Sequence, residues 1–119
     1  MFVATVVLGI VVGLGFFVPG IAKLTDVAQM ARAREHLGME PGLFKAVGLL
    51  EVLGAIGVLA GLYKDLPVIG VLAAVGLVAM TIGAVFYHQR ADDSIGQWIP
   101  AVAMGSIAIV YIILRVGTA

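Results

Sequence analysis

The sequence contains no cysteine, which removes disulfides, thiolate nucleophiles, iron–sulfur clusters and cysteine-type zinc sites. Charge is scarce as well. Asp, Glu, Lys and Arg make up 12% of the 119 residues, where a soluble domain carries about a quarter. Seven Lys and Arg balance seven Asp and Glu, so no basic patch is available to neutralise phosphates, and nucleic-acid binding is excluded. Solvating polar tracts are also missing, which excludes intrinsic disorder. No stretch alternates apolar and polar residues, so a β-barrel is excluded too. His36 and His88 are the only histidines. They lie far apart and share no metal-ligand spacing, and His88 alone could serve as a haem axial residue. Neither a metal nor an intrinsic cofactor is expected.

What the chain has instead is apolar length. Hydrophobic residues make up 62% of it and mean hydropathy is +1.17. Four apolar stretches, about residues 1–18, 43–62, 66–88 and 98–115, hold most of them. A helix needs roughly 17–25 such residues to cross a hydrocarbon core, and lipid forces a spanning backbone to satisfy its own hydrogen bonds. The expected fold is an all-α membrane protein: a single domain over 1–119 forming a four-transmembrane-helix up-down bundle. The first stretch has no basic residue before Lys23 and no small-residue cleavage site, so it is expected to remain as a helix rather than act as a signal peptide. Pro19-Gly20 is expected to end it, Pro41-Gly42 to introduce the second helix, and Pro67 to open the third. Asp92-Asp93-Ser94 precedes the fourth helix, and Pro100 falls early enough in it to be tolerated.

One connection is long. Within it Val27, Met30, Ala31, Arg34 and Leu37 recur at spacings of three and four. That pattern predicts a short amphipathic helix at the headgroup level between the first two spans, the alternative being a solvated loop with a helical turn. Lys23, Arg32, Arg34, Lys45 and Arg90 fall on one membrane face, against Lys64 and Arg115 on the other. The bias places both long-loop corners in the cytoplasm of a cell-membrane protein and both termini outside.

Sixteen glycines, among them the pairs Gly9/Gly13 and Gly57/Gly61, together with Gly48, Gly54, Ala79 and Gly83, predict close helix packing within the bundle or between copies of it. No phosphate-binding glycine fingerprint is present. Met30, Met39, Met80 and Met104 read as scattered gap-fillers. Trp98, Tyr111, Tyr63 and Tyr87 read as an aromatic belt.

Glu51 is the costly residue. It falls near the middle of the second span, where a charge costs roughly 2.5–3.5 kcal/mol on insertion scales. It should point into the bundle, beside Gly48 and Ala55. Two roles are open to it: a proton-handling or ligand-holding carboxyl, or a structural hydrogen-bonding group. Lys23 and His88 fall on the same membrane face, and a lysine stem can reach several ångströms toward a partner. Together they could form a polar pocket with Glu51, with Gln97 and Tyr87 at its rim. Alternatively, Lys23 is an interface anchor and His88 an ordinary interfacial polar residue.

Three segments carry a family resemblance: Phe17-Val18-Pro19-Gly20-Ile21-Ala22-Lys23-Leu24, Gly48-Leu49-Leu50-Glu51-Val52-Leu53-Gly54, and Gly83-Ala84-Val85-Phe86-Tyr87-His88. In order and spacing they resemble the DoxX-like family of small four-helix membrane proteins. The resemblance implies that Lys23, Glu51 and His88 are the recurring polar positions. It also implies a link to thiosulfate:quinone oxidoreductase or to membrane redox complexes that resist oxidative stress. The leading expectation is a small subunit that anchors or organises a larger redox or cell-envelope complex, as a homo-oligomer or with other membrane subunits in the bilayer. The alternative is a binder or enzyme for an apolar small molecule, a quinone or lipid, held by Glu51, Lys23 and His88. Solute transport ranks last, because no inverted repeat relates the halves.

Overall fold

A computed structural model describes residues 2–25 and 27–118. Among these the structure is all-helical: α1 (Phe2–Thr25), α2 (Ala28–Leu37), α3 (Pro41–Ala60), α4 (Pro67–Arg90) and α5 (Ile95–Gly117). Four of these helices, all but α2, are long and apolar enough to cross a membrane. At about 1.5 Å per residue, 24 residues span ~36 Å, which matches the 41 Å long axis of the molecule. The chain is a small multi-pass integral membrane protein.

Pro19-Gly20 does not end the first helix. α1 continues through both residues to Thr25 and carries Lys23 in its last turn. The proline ring removes only the donor that would meet the carbonyl of Gly15, and a membrane bundle tolerates that loss where neighbouring helices cover it. The expected start at Met1 lies outside the described residues. Pro41 and Pro67 open α3 and α4, since proline has no N–H to leave unpaired in a first turn. The long connection is the short helix α2. It closes at Gly38, whose φ of 68° suits glycine, through bonds from the Gly38 and Met39 N–H groups to the Glu35 and Arg34 carbonyls.

The same closure ends α4, with Asp92 at φ 58° in the left-handed position. The Asp92 N–H donates to Gln89 and the Asp93 N–H to His88. Aspartate tolerates this backbone better than most residues. Asp93 is thereby folded back over the last turn of α4.

α1 and α4 each pack on both α3 and α5, which gives a four-helix ring with antiparallel neighbours, while α2 touches α4. The core is one cluster of Val12, Phe16, Ala55, Val58, Ala74, Leu77, Ala108 and Tyr111. Most other apolar side chains, such as Val3, Leu14, Leu50, Leu72 and Ile113, face outward. That distribution suits a lipid solvent, which needs no covering of its own.

Glycine sets the close approaches. A Cβ on Gly20 would lie 2.8 Å from the Gly48 carbonyl, and one on Gly48 would lie 2.8 Å from Lys23 Cβ. A Cβ on Gly61 would overlap Gly70. Gly83, expected to pack within the bundle or between copies, does not pack on another helix of this chain: a Cβ there would meet nothing within 4 Å.

At the end away from α2, Arg115 is 5% exposed. Its Nε donates to the Gly61 carbonyl at 2.7 Å and one terminal nitrogen to Tyr63 at 3.0 Å. It thus bonds two carbonyls just past the end of α3, where a cation is also favoured by the helix dipole. Tyr111 is fully buried, with its hydroxyl 3.3 Å from the Val58 carbonyl. It is therefore a core residue and not part of an aromatic belt.

Candidate functional site

The crossing of Gly20 and Gly48 presses α1 on α3 and lays Lys23 against Glu51. Ten residues beyond Pro41, Glu51 is about 15 Å along α3 and 6% exposed. Lys23 Nζ lies 2.6 Å from Glu51 Oε1. Phe44, itself buried, underlies the ammonium, with its ring centroid 5.8 Å from Nζ, within range for a cation–π contact. Pairing and partial burial together hold two charges that lipid alone would not accept.

The pair lies on the wall of a cavity of about 520 Å³, within the roughly 300–1,000 Å³ of small-molecule sites. All five helices line it. α1 contributes Gly15, Phe16, Pro19 and Lys23, and α3 contributes Leu43, Phe44, Val47 and Glu51. Thr81, Gly83, Ala84, Tyr87 and His88 come from α4, and Pro100, Ala101 and Met104 from α5. α2 closes the cavity with Met30, Ala33 and Leu37. The methionines are not scattered: Met30, Met39, Met80 and Met104 all reach this one cavity. Their flexible, polarizable thioethers give it an adaptable wall with affinity for aromatic rings.

His88 is drawn into a second group. Its Nδ1 lies 2.6 Å from Asp93 Oδ2, and His36 Nε2 lies 2.5 Å from Asp93 Oδ1. The Asp93 side chain is only 4% exposed. Hydrogen bonds from His36 and then His88 hold its carboxyl below the usual 3.8, so it is an ionised acceptor and both ring nitrogens must donate. His36 and Asp93 thereby tie α2 to the corner between α4 and α5. Among the described residues no group of three or more His, Asp or Glu is arranged to hold a metal ion.

Of the five residues expected at a pocket, Lys23, Glu51, Tyr87 and His88 line the cavity. Lys23 pairs with Glu51, whereas His88 pairs with Asp93. Tyr87 also stacks edge-on with Phe86 and lies under Arg90. Gln97 is not at the rim. It is exposed, and its Oε1 accepts the Ser94 N–H at 2.8 Å as the cap of α5. Ser94 followed three residues later by Gln is a capping-box pattern, so this local role was available from spacing.

Sequence reasoning missed Asp93, His36 and the convergence of the methionines. The His88–Asp93 contact had a signal, because the helix closure at Asp92 brings the residues before and after it together. The His36–Asp93 contact, 57 residues apart, had none.

No curated protein and no solved structure matches the chain. The family model described as the DoxX-like family does match, over residues 7–111. That span takes in the α1–α3 crossing, the ion pair, the cavity and the His–Asp–His group, and covers most of the sequence: the chain belongs to the DoxX-like family.

Proposed function

We propose that this membrane protein binds an apolar small molecule with a polar head, of the quinone or lipid kind, in the cavity enclosed by its five helices. One observation carries the reading: an apolar, methionine-lined cavity whose wall holds the Lys23–Glu51 ion pair. An ion pair at that depth is costly unless polar partners share it. A ligand head meets both needs, since its apolar body fills the cavity while the head completes the hydrogen bonding of the ammonium and carboxylate.

The test is organic extraction of the detergent-purified protein, followed by mass spectrometry of what co-purifies. Wild type is expected to carry a near-stoichiometric apolar molecule and Glu51→Gln to lose it, with the helical circular dichroism of the two alike. Equal retention in both forms overturns the reading.

The companion expectation, a subunit anchoring a redox or cell-envelope complex, drew on glycine-rich faces for partner contact. Here Gly9, Gly13, Gly20, Gly48, Gly54, Gly57, Gly61, Gly70 and Gly105 are each crowded by atoms of the same chain. Binding therefore takes precedence, and any anchoring would use the lipid-facing surface. The excess of Lys and Arg on the α2 side further supports placing α2 and the α4–α5 corner in the cytoplasm.

A further inference from the structure

We propose that Asp93 is a positioning residue that fixes His88 as a hydrogen-bond acceptor toward the cavity, so that the cavity favours ligands whose head carries a hydroxyl. This inference rests on the ligand-site reading above and adds the chemical class of the head.

One imidazole has few donors and acceptors to distribute. A neutral histidine has one N–H and one lone pair. Asp93 offers only acceptors, and its Oδ2 stands 2.6 Å from His88 Nδ1. The proton must then reside on Nδ1, which leaves the lone pair on Nε2, at the far side of the ring. No side chain or backbone group among the described residues bonds Nε2, and His88 is on the cavity wall.

The backbone makes this arrangement rigid. Asp92 in the left-handed conformation turns Asp93 back on His88, and the Asp93 N–H donates to the His88 carbonyl at 3.0 Å. The second carboxylate oxygen is held by His36 from α2. Asp93 therefore cannot rotate away without breaking two contacts. Carboxylate-oriented imidazoles elsewhere keep their tautomer for the same reason.

The complementary ligand follows. Lys23 supplies donors, so the head needs an acceptor for it. Lys23 occupies one oxygen of Glu51, and His88 Nε2 adds a second kind of acceptor to the wall, one that needs a donor. A hydroxyl on the head supplies that donor, whereas an ether or a bare carbonyl would leave Nε2 unmatched.

The probes are 4-decylphenol and its methyl ether, which share an apolar body and differ in one O–H. Their binding to the full chain in lipid nanodiscs, corrected for partition into empty nanodiscs, is measured near pH ~8, where imidazole is ordinarily neutral. Wild type is expected to prefer the phenol by roughly three- to tenfold, the range one neutral hydrogen bond gives. Asp93→Asn, which has a single acceptor oxygen for two histidines, and His88→Leu, which has no imidazole, are both expected to bring the ratio toward one. The ratio of two probes on one sample is insensitive to the fraction of protein that is folded. Equal binding of both probes by wild type, or a wild-type ratio in Asp93→Asn, overturns the role of Asp93 and leaves the ligand site standing. Binding of neither probe overturns the ligand-site reading and this inference together.

Discussion

A carboxylate that accepts from two imidazoles stays ionised further into acid than one in water, and at Asp93 this makes a pH prediction with a definite sign. The hydrogen bonds from His36 and His88 lower its pKa from the ordinary 3.8. For a depressed carboxyl the stabilisation is fully present above the unfolded value and is lost as pH falls through the lower, folded one. The tie between α2 and the α4–α5 corner should therefore hold from neutrality down to about pH 4 and loosen below it. Trp98, the single tryptophan, lies in the first turns of α5 beside this corner and reports it by fluorescence. Its acid transition should lie below pH ~4 in wild type and be missing in Asp93→Asn; a transition unchanged by the substitution would show that Asp93 does not hold the corner. At this scale the sequence exposed cost better than partnership. Glu51 stood out because lipid penalises its charge, whereas Asp93 looked like an ordinary loop acid, since its partners become visible only once the helix closure and α2 are placed.

Two glycines on different helices separate packing from function. Gly48 faces α1 so closely that an added methyl would meet Lys23 Cβ at 2.8 Å and the Gly20 carbonyl at 2.9 Å. Backbone cannot give way as a flexible side-chain tip can, so Gly48→Ala should push α1 off α3. It is expected to destabilise by about 1–3 kcal/mol and to pull Lys23 from Glu51. Gly83 on α4 lines the cavity with open space before it. Gly83→Leu should fold at least as well, since leucine favours helix over glycine by up to about 1 kcal/mol, yet fill the cavity and exclude the co-purifying molecule. Thermal unfolding in detergent and the extraction assay give both readouts. The prediction fails if Gly83→Leu keeps the molecule or if Gly48→Ala melts like wild type. The long helices were legible because hydropathy in lipid is a strong signal. Their ends were less so, because Pro19 reads as a stop by the rules of soluble helices, yet α1 runs on to Thr25. Neither glycine could be assigned from spacing, because spacing does not tell which face of a lipid-embedded helix meets protein and which meets a cavity.

The whole molecule is sealed at one end and hollow at the other, and this bears on its direction in the membrane. At the sealed end Arg115 is buried and bonded to the Gly61 and Tyr63 carbonyls, so its charge serves α3 and not the lipid headgroups. Removing it from the basic residues of that face leaves Lys64 alone there, against Lys23, Arg32, Arg34, Lys45 and Arg90 on the α2 face. Lys23 is itself paired with Glu51, yet the remaining excess still points the α2 face to the cytoplasm. The absence of cysteine makes the question direct to test, because a single introduced thiol is the only target for a maleimide. Gln29 on α2 and Tyr63 in the α3–α4 turn are both exposed and uncharged, so replacing either leaves the Lys and Arg pattern intact. In intact cells a membrane-impermeant maleimide should label Tyr63→Cys, and Gln29→Cys only after permeabilisation. The opposite pattern would reverse the orientation and open the cavity end to the outside. Under the proposed orientation, which this labelling tests, the His36–Asp93 tie and the Lys23–Glu51 pair would face the compartment whose pH is most closely held, well above the acid window in which Asp93 lets go.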